Sequence, residues 1–192
     1  MNFTSENLLI NRVFNKGNIF ILRHTKKHDL GIEAAHLHKE SLFNLLPGLD
    51  KKIACLSDIG KIEAQIIGMI FDELNININE VHSSSMCRAK ETAKIAFGEI
   101  DQIHDFLIYN SYFKDPDLKN KSEELNNFFY NNLIDNKKNY LLSTHSGVMK
   151  RVNLDFNLNE GGILVYNIEL QKPILFLKDY KSVIKFYEYY QK

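Results

Sequence analysis

The sequence predicts an α/β fold, a three-layer sandwich with a mainly parallel central sheet and helices on both faces. Three observations carry that expectation. Ile19-Phe20-Ile21-Leu22 is a short unbroken apolar run that stops at Arg23-His24, the pattern of a strand buried on both faces. Strand-like and helix-like segments then alternate along the chain. Finally, residues 163–168 and 173–177 flank a polar turn at Gln171-Lys172 and read as a hairpin adding an antiparallel edge.

A chain of 192 residues, 44% of them hydrophobic, is enough for one core, so residues 1–192 read as a single domain. The 24 basic residues balance 24 acidic ones, which removes the overall field that would point to nucleic acid or an anionic membrane. No stretch approaches the roughly 20 apolar residues of a membrane span. Residues 1–16 lack a basic-then-apolar signal pattern, and the expected location is the cytoplasm. Cys55 and Cys87 are too few for a disulfide scaffold and lack metal-ligand spacing, so free thiols are expected, with a Cys55–Cys87 disulfide the alternative if both flank the same sheet edge.

Before residue 18 the chain reads as a lead-in with a short helix through Leu8-Leu9-Ile10. Between His24 and Leu56 lies an irregular stretch long enough to face a substrate, with a helix expected over 33–46. Its His36-x-His38 pair has no matching ligand set and reads as helix surface. Ser57 or Asp58 caps the next helix, whose Ile59, Ile62, Ile66, Ile67, Ile70 and Leu74 recur at helical spacing. Residues 79–83 form the second strand, and 86–97 a helix burying Ala89, Thr92, Ala93, Ala96 and Phe97. A third strand is expected over 103–108 and a loop over 110–120. Ser122 caps a helix reaching 133, with Leu125, Phe128, Phe129 and Leu133 inward. Residues 140–144 are the fourth strand, a short helix follows Ser146, and the aromatic tail 180–189 is a packing element.

The chemistry sits at three strand ends. Arg23-His24, Arg88 and His145-Ser146-Gly147 each follow a predicted strand, the edge where open α/β sheets hold ligands. Arg88 falls in a first helical turn, where the dipole disfavours a cation unless an anion shares the site; pairing with Glu91 or Asp58 is the alternative. Two arginines and two histidines make a pocket for a tetrahedral dianion, since arginine forks match phosphate oxygens and stay charged. Neutral imidazole can also attack phosphorus, and with the cations built in, this logic requires no metal or other cofactor.

Leu22-Arg23-His24-Thr25, Leu56-Ser57-Asp58-Ile59-Gly60-Lys61, the stretch from Ser83 to Ala93 and Thr144-His145-Ser146-Gly147 stand in an order that resembles the histidine phosphatase (phosphoglycerate mutase-like) superfamily. The likeness spans about residues 18–168. The Ser-Ser-x-x-Cys-Arg-Ala-x-Glu-Thr-Ala form and Asn159-Glu160-Gly161-Gly162 look like a bacterial branch of small phosphatases. The resemblance implies a phosphatase in which His24 becomes phosphohistidine, Arg23 and Arg88 clamp the phosphoryl oxygens, and His145 donates to them. By this analogy the amide of Ser146 joins the phosphate site, with Gly147 permitting the turn. The implied partner is a small phosphorylated metabolite, such as a sugar phosphate, or a phosphohistidine, with neither nucleic acid nor membrane.

Two departures stand out. Thr25 occupies a place where the family usually has Gly, its hydroxyl either touching phosphate or capping a turn. Asn110 and Ser146 occupy the positions where many members carry a general-acid Glu or Asp. Asp105, Asp115, Asp117, Glu33 and Asp29 are the alternatives for that acid, unless the leaving group needs none. The competing function is a non-catalytic member that binds a phosphorylated ligand or phosphoprotein; a mutase, which needs the acid, ranks last.

Overall fold

A computed structural model of the protein describes residues 11–28 and 55–191. The expected helices through Leu8-Leu9-Ile10 and over 33–46, together with His36, His38, Asp29 and Glu33, lie outside the described residues.

The described chain builds a six-stranded sheet. Its strands are β1 (Asn18–Arg23), β2 (Glu80–Ser84), β3 (Gln102–His104), β4 (Tyr140–Thr144), β5 (Ile163–Asn167) and β6 (Lys172–Leu177). The spatial order is β3-β2-β4-β1-β5-β6. The first four run parallel, and β5 and β6 join antiparallel, as the hairpin pattern requires. The helices are α1 (Asp58–Glu73), α2 (Cys87–Phe97), α3 (Asp117–Asn127) and α4 (Tyr180–Tyr190).

Alternation along β1 divides the core into two layers. Phe20 and Leu22 pack with Ile67, Ile70, Phe71, Ala93 and Val183 of α1, α2 and α4. Ile19 and Ile21 face the other way, onto Leu125, Phe128, Phe129 and Val148. Successive strand side chains point to opposite faces, so a strand covered on both must be apolar throughout. At the amino ends of the strands, Asn18 receives nothing from solvent: its N–H donates to Asn139 Oδ1 at 3.0 Å and its own Oδ1 accepts from Asn167 Nδ2 at 2.9 Å. A cavity of about 320 Å³ touching Arg12, Asn136 and Glu169 lies at this edge, the far end of β1 from His24.

Several elements differ from expectation. Ser57 does cap α1, its side chain accepting from Gly60 N, but Ile59 and Ile62 are 56% and 55% exposed. The buried stripe runs through Gly60, Ala64, Ile67, Gly68 and Phe71 instead. Small residues win there because the helix lies against backbone: a Cβ on Gly60 would collide with the Lys26 carbonyl. The third strand stops at His104 and becomes a 3-10 turn over Asp105–Leu107. Its edge position leaves Ile103 54% exposed, so the apolar run was not two-sided burial. Helix α3 begins at Asp117, five residues before the expected cap; Ser122 is interior and donates to Leu118 O at 2.6 Å. Leu125, Phe128, Phe129 and Leu133 are nonetheless all buried, the last three in or after a π-helical turn over Phe128–Asn132.

Cys55 and Cys87 are joined in a disulfide, with their Cα atoms 4.9 Å apart. This corrects the expectation of free thiols. The fold places Cys55, three residues before α1, beside the first residue of α2, a juxtaposition their 32-residue separation does not reveal.

Candidate active site

Parallel pairing brings the carboxyl ends of β2, β4 and β1 to one edge. Arg23 stands opposite Thr144, and Ser83 opposite Ser143, so Ser84, His145 and His24 emerge side by side. His24 N–H still donates to Thr144 O at 3.1 Å, extending the ladder one residue past the strand. Hydroxyls at this edge face inward onto carbonyls: Ser143 Oγ on Ala89 O at 2.8 Å, and Thr144 Oγ1 on Leu107 O at 2.9 Å.

His24 is 3% exposed, and both its ring nitrogens are held. Arg88 Nε donates to Nε2 at 3.0 Å, and arginine has no acceptor to offer, so Nε2 carries the lone pair. The proton is therefore on Nδ1, which donates to the Thr25 carbonyl at 2.8 Å. Burial first, then the Arg88 guanidinium, pushes the His24 pKa down to about 3. At neutral pH this is an uncharged imidazole with its lone pair turned toward a guanidinium.

His145, 4% exposed, lies with its ring centroid 5.2 Å from that of His24. Its Nε2 pairs with Ser84 Oγ at 3.0 Å, while Nδ1 is buried with no hydrogen-bond partner among the described residues. Burial, Arg88 and His24 together hold its pKa well below the usual imidazole value. Arg23 sends Nη1 to Leu158 O at 2.8 Å, and its Nε is likewise buried without a partner among the described residues. Burial lowers the Arg23 pKa, and the Glu160 carboxylate opposes that loss. Glu160 precedes Gly161, whose N–H reaches both Arg23 O and His24 O at 3.2 and 3.1 Å.

Arg23, His24, Arg88 and His145 are thus brought together, and Arg88 is not spent on Glu91 or Asp58. Glu91 accepts from Leu56 N at 2.7 Å, and Asp58 pairs with Lys61. The Thr25 hydroxyl takes the turn-capping alternative: it donates to Gly60 O at 2.7 Å, which fixes the loop to α1. Its N–H donates to Thr92 Oγ1 at 3.1 Å, so Thr25 sets the backbone that orients His24. Ser146 is exposed, and Gly147, at φ +76°, makes the left-handed turn that starts the 3-10 segment Val148–Val152. Asn110 Nδ2 reaches Gly147 O at 3.3 Å, on the rim beside His145. Asp105, Asp115 and Asp117 are exposed.

Sequence reasoning passed over Ser84, Tyr109 and Glu160. Ser84 sat inside a quoted motif without a role. Tyr109 places its ring 5.3 Å from Arg88 Cζ and edge-on to His145 at 5.6 Å, a contact only the fold creates.

With this geometry in hand, comparison with solved structures gives a consistent answer. The chain has the histidine phosphatase fold. The Rv3214 protein of Mycobacterium tuberculosis superposes with a TM-score of 0.56 at 15% identity, over 83% of this chain and 94% of that one. A protein of Agrobacterium tumefaciens assigned as the phosphohistidine phosphatase SixA gives 0.55 at 18% identity, over 84% and 98%. A phosphoserine phosphatase of Entamoeba histolytica, solved with phosphoserine, gives 0.52 at 14% identity, over 83% and 94%. No protein-family model and no curated protein matches the sequence. Among the described residues no helix is long and apolar enough to cross a membrane.

Proposed function

We propose that this chain is a phosphatase that transfers a phosphoryl group to His24 Nε2 and then to water. The observation that carries the reading is the state of His24: neutral, with its tautomer set by Thr25 and Arg88 so that the lone pair faces the cationic side of the site. A nucleophilic imidazole needs that combination. In this reading the incoming phosphoryl group takes Arg88 Nε away from His24, exposing the lone pair as the guanidinium moves onto the equatorial oxygens. Arg23 Nε and His145 Nδ1, two buried nitrogens of the site without a hydrogen-bond partner among the described residues, supply further hydrogen bonds as charge redistributes. In this reading Ser84 Oγ, which accepts from Met86 N at 3.3 Å, donates its own proton to His145 Nε2 and the imidazole proton is on Nδ1.

The rim supports a preference among leaving groups. Asn110 and Ser146 carry no proton to give an alkoxide, and Asn110 is turned to Gly147 O. Substrates whose leaving group is already stable, such as a phosphohistidine, an anomeric sugar phosphate or an aryl phosphate, fit best. The structural neighbour solved with phosphoserine is consistent with a small phosphorylated substrate.

The test is phosphate release from an aryl phosphate, a panel of sugar phosphates and a phosphohistidine peptide, in the presence of chelator. Wild type should turn over and His24→Ala should lose at least a thousandfold. Turnover undiminished in His24→Ala would refute the assignment. Tight phosphate binding without turnover on any substrate would replace it with the phospho-ligand-binding reading.

A further inference from the structure

We infer that Cys55 and Cys87 are a reversible thiol–disulfide modification site whose closure fixes the root of the Arg88 side chain beside His24. The inference rests on the site assignment above. Cys87 is the first residue of α2 and Arg88 the second, so whatever fixes the Cys87 Cα fixes the root of the Arg88 side chain. The bridge ties that turn to Cys55, directly before Leu56 and the α1 cap Ser57. Both cysteines are half-buried, at the surface of the domain and away from its core.

The same junction survives opening of the bridge. Glu91, one turn along α2, accepts from Leu56 N at 2.7 Å, Leu56 pairs with Lys27, and Ser57 N–H donates to Lys26 O at 3.0 Å. Opening therefore releases the first turn of α2 without detaching α1, the condition for a switch as opposed to an unfolding event. The positive end of α2 favours a thiolate at Cys87, the first residue of the helix, which marks it as the attacking sulfur.

The step balances with a peroxide as oxidant. The Cys87 thiolate attacks one peroxide oxygen, the O–O bond breaks, and sulfenic acid and water form once a proton is taken up. Cys55 sulfur then attacks the Cys87 sulfur, the S–S bond forms, and a second water leaves. Two electrons pass from two thiols to one peroxide, and a dithiol reductant returns them by exchange through a mixed disulfide.

The closed form fixes the root of the Arg88 side chain beside the site before a phosphate arrives, so only the guanidinium has to swing from His24 Nε2 onto the phosphate oxygens. The open form must order the whole side chain on binding. Fixing the root of one long side chain corresponds to a roughly three- to tenfold gain in phosphate affinity. The experiment uses the full chain with chelator present, since both sulfurs and a Glu91 oxygen lie within 4.8 Å and a thiophilic cation would mask the thiols. Thiols are counted under denaturation after peroxide and after dithiothreitol. Inorganic phosphate affinity and the His24 ring ¹⁵N shifts are measured in each form and in Cys55→Ser. We expect no free thiols after peroxide and two after reduction, with phosphate bound three- to tenfold more weakly and the His24 Nε2 resonance moved in the reduced form. Cys55→Ser should match the reduced wild type and ignore dithiothreitol. Two free thiols after peroxide would overturn the inference, as would phosphate affinity and ring shifts that are the same in both forms. Ring shifts that follow the redox state while phosphate binds neither form would support the switch and refute the phosphate reading instead.

Discussion

Thr92 is the hinge of the argument about His24 and the sharpest place to perturb it. Its hydroxyl accepts from Thr25 N at 3.1 Å and donates to Arg88 O at 2.8 Å, so one buried oxygen joins the backbone of the nucleophile's neighbour to the helix carrying the clamp. Thr92→Val keeps shape and volume but strands the Thr25 N–H in a fully buried position. Leaving a buried donor unpaired costs about 1–3 kcal/mol. Taking about 2 kcal/mol, a protein of this size should lose roughly 4–8 °C in Tm. The Thr25 carbonyl is the acceptor for His24 Nδ1, so loosening this residue also releases the imidazole. Phosphoryl transfer should therefore fall about tenfold or more, beyond what stability explains at 25 °C. Thr92→Ser, which retains the hydroxyl, should recover most of the rate. Thermal denaturation and single-turnover kinetics on an aryl phosphate read both effects. A Val variant within about 0.5 kcal/mol of wild type, with unchanged rate, would show that the Thr25–Thr92 bond does not position His24.

Three further outcomes follow from the same geometry. Arg88→Ala removes the donor to His24 Nε2 and a cation from the phosphate site, and kcat should drop by roughly 10²–10³. The same variant should raise the His24 pKa, because Arg88 is the second cause of its depression; an NMR titration that finds it unmoved would contradict the contact. Stability should also fall in mild acid. His24 titrates near 3 in the folded state against about 6.5 unfolded, so its contribution is complete above pH 6.5 and is lost as pH falls toward 3. At pH 5 His24 alone accounts for about 2 kcal/mol. His82, His104 and His145 are all lowered too, chiefly by burial, His104 to about 4, so they act in the same direction. Urea midpoints that stay constant from pH 7 to 4.5 would refute the buried neutral histidines.

How much of this was legible beforehand depends on whether a contact is local. Strands β1 and β4 were readable because two covering layers leave the runs 19–22 and 140–142 unbroken by an exposed polar position, and Tyr140–Thr144 was bounded to the residue. The Ser57 cap and the β5–β6 hairpin were readable because capping and turn chemistry act over a few residues. Arg23, His24, Arg88 and His145 were locatable because each ends a strand or opens a helix, and parallel strands deliver such ends to one edge. The errors share a cause. Ile59 and Ile62 share the helical spacing of the apolar set yet are exposed, because spacing does not show that the α1 face meeting Lys26 accepts only Gly60. Ser122 resembles a cap, yet its hydroxyl is satisfied by Leu118 O one turn back.

The sequence by itself determined the layers, the strand edge and the residue types gathered on it, because burial periodicity and strand termini are properties of short segments. Only the tertiary structure decided the tautomer of His24, the turning of Thr25 toward Gly60 and the meeting of Cys55 with Cys87. Each of these depends on a partner 32 or more residues away, and short-range patterns do not encode which distant groups come within hydrogen-bonding or bonding distance.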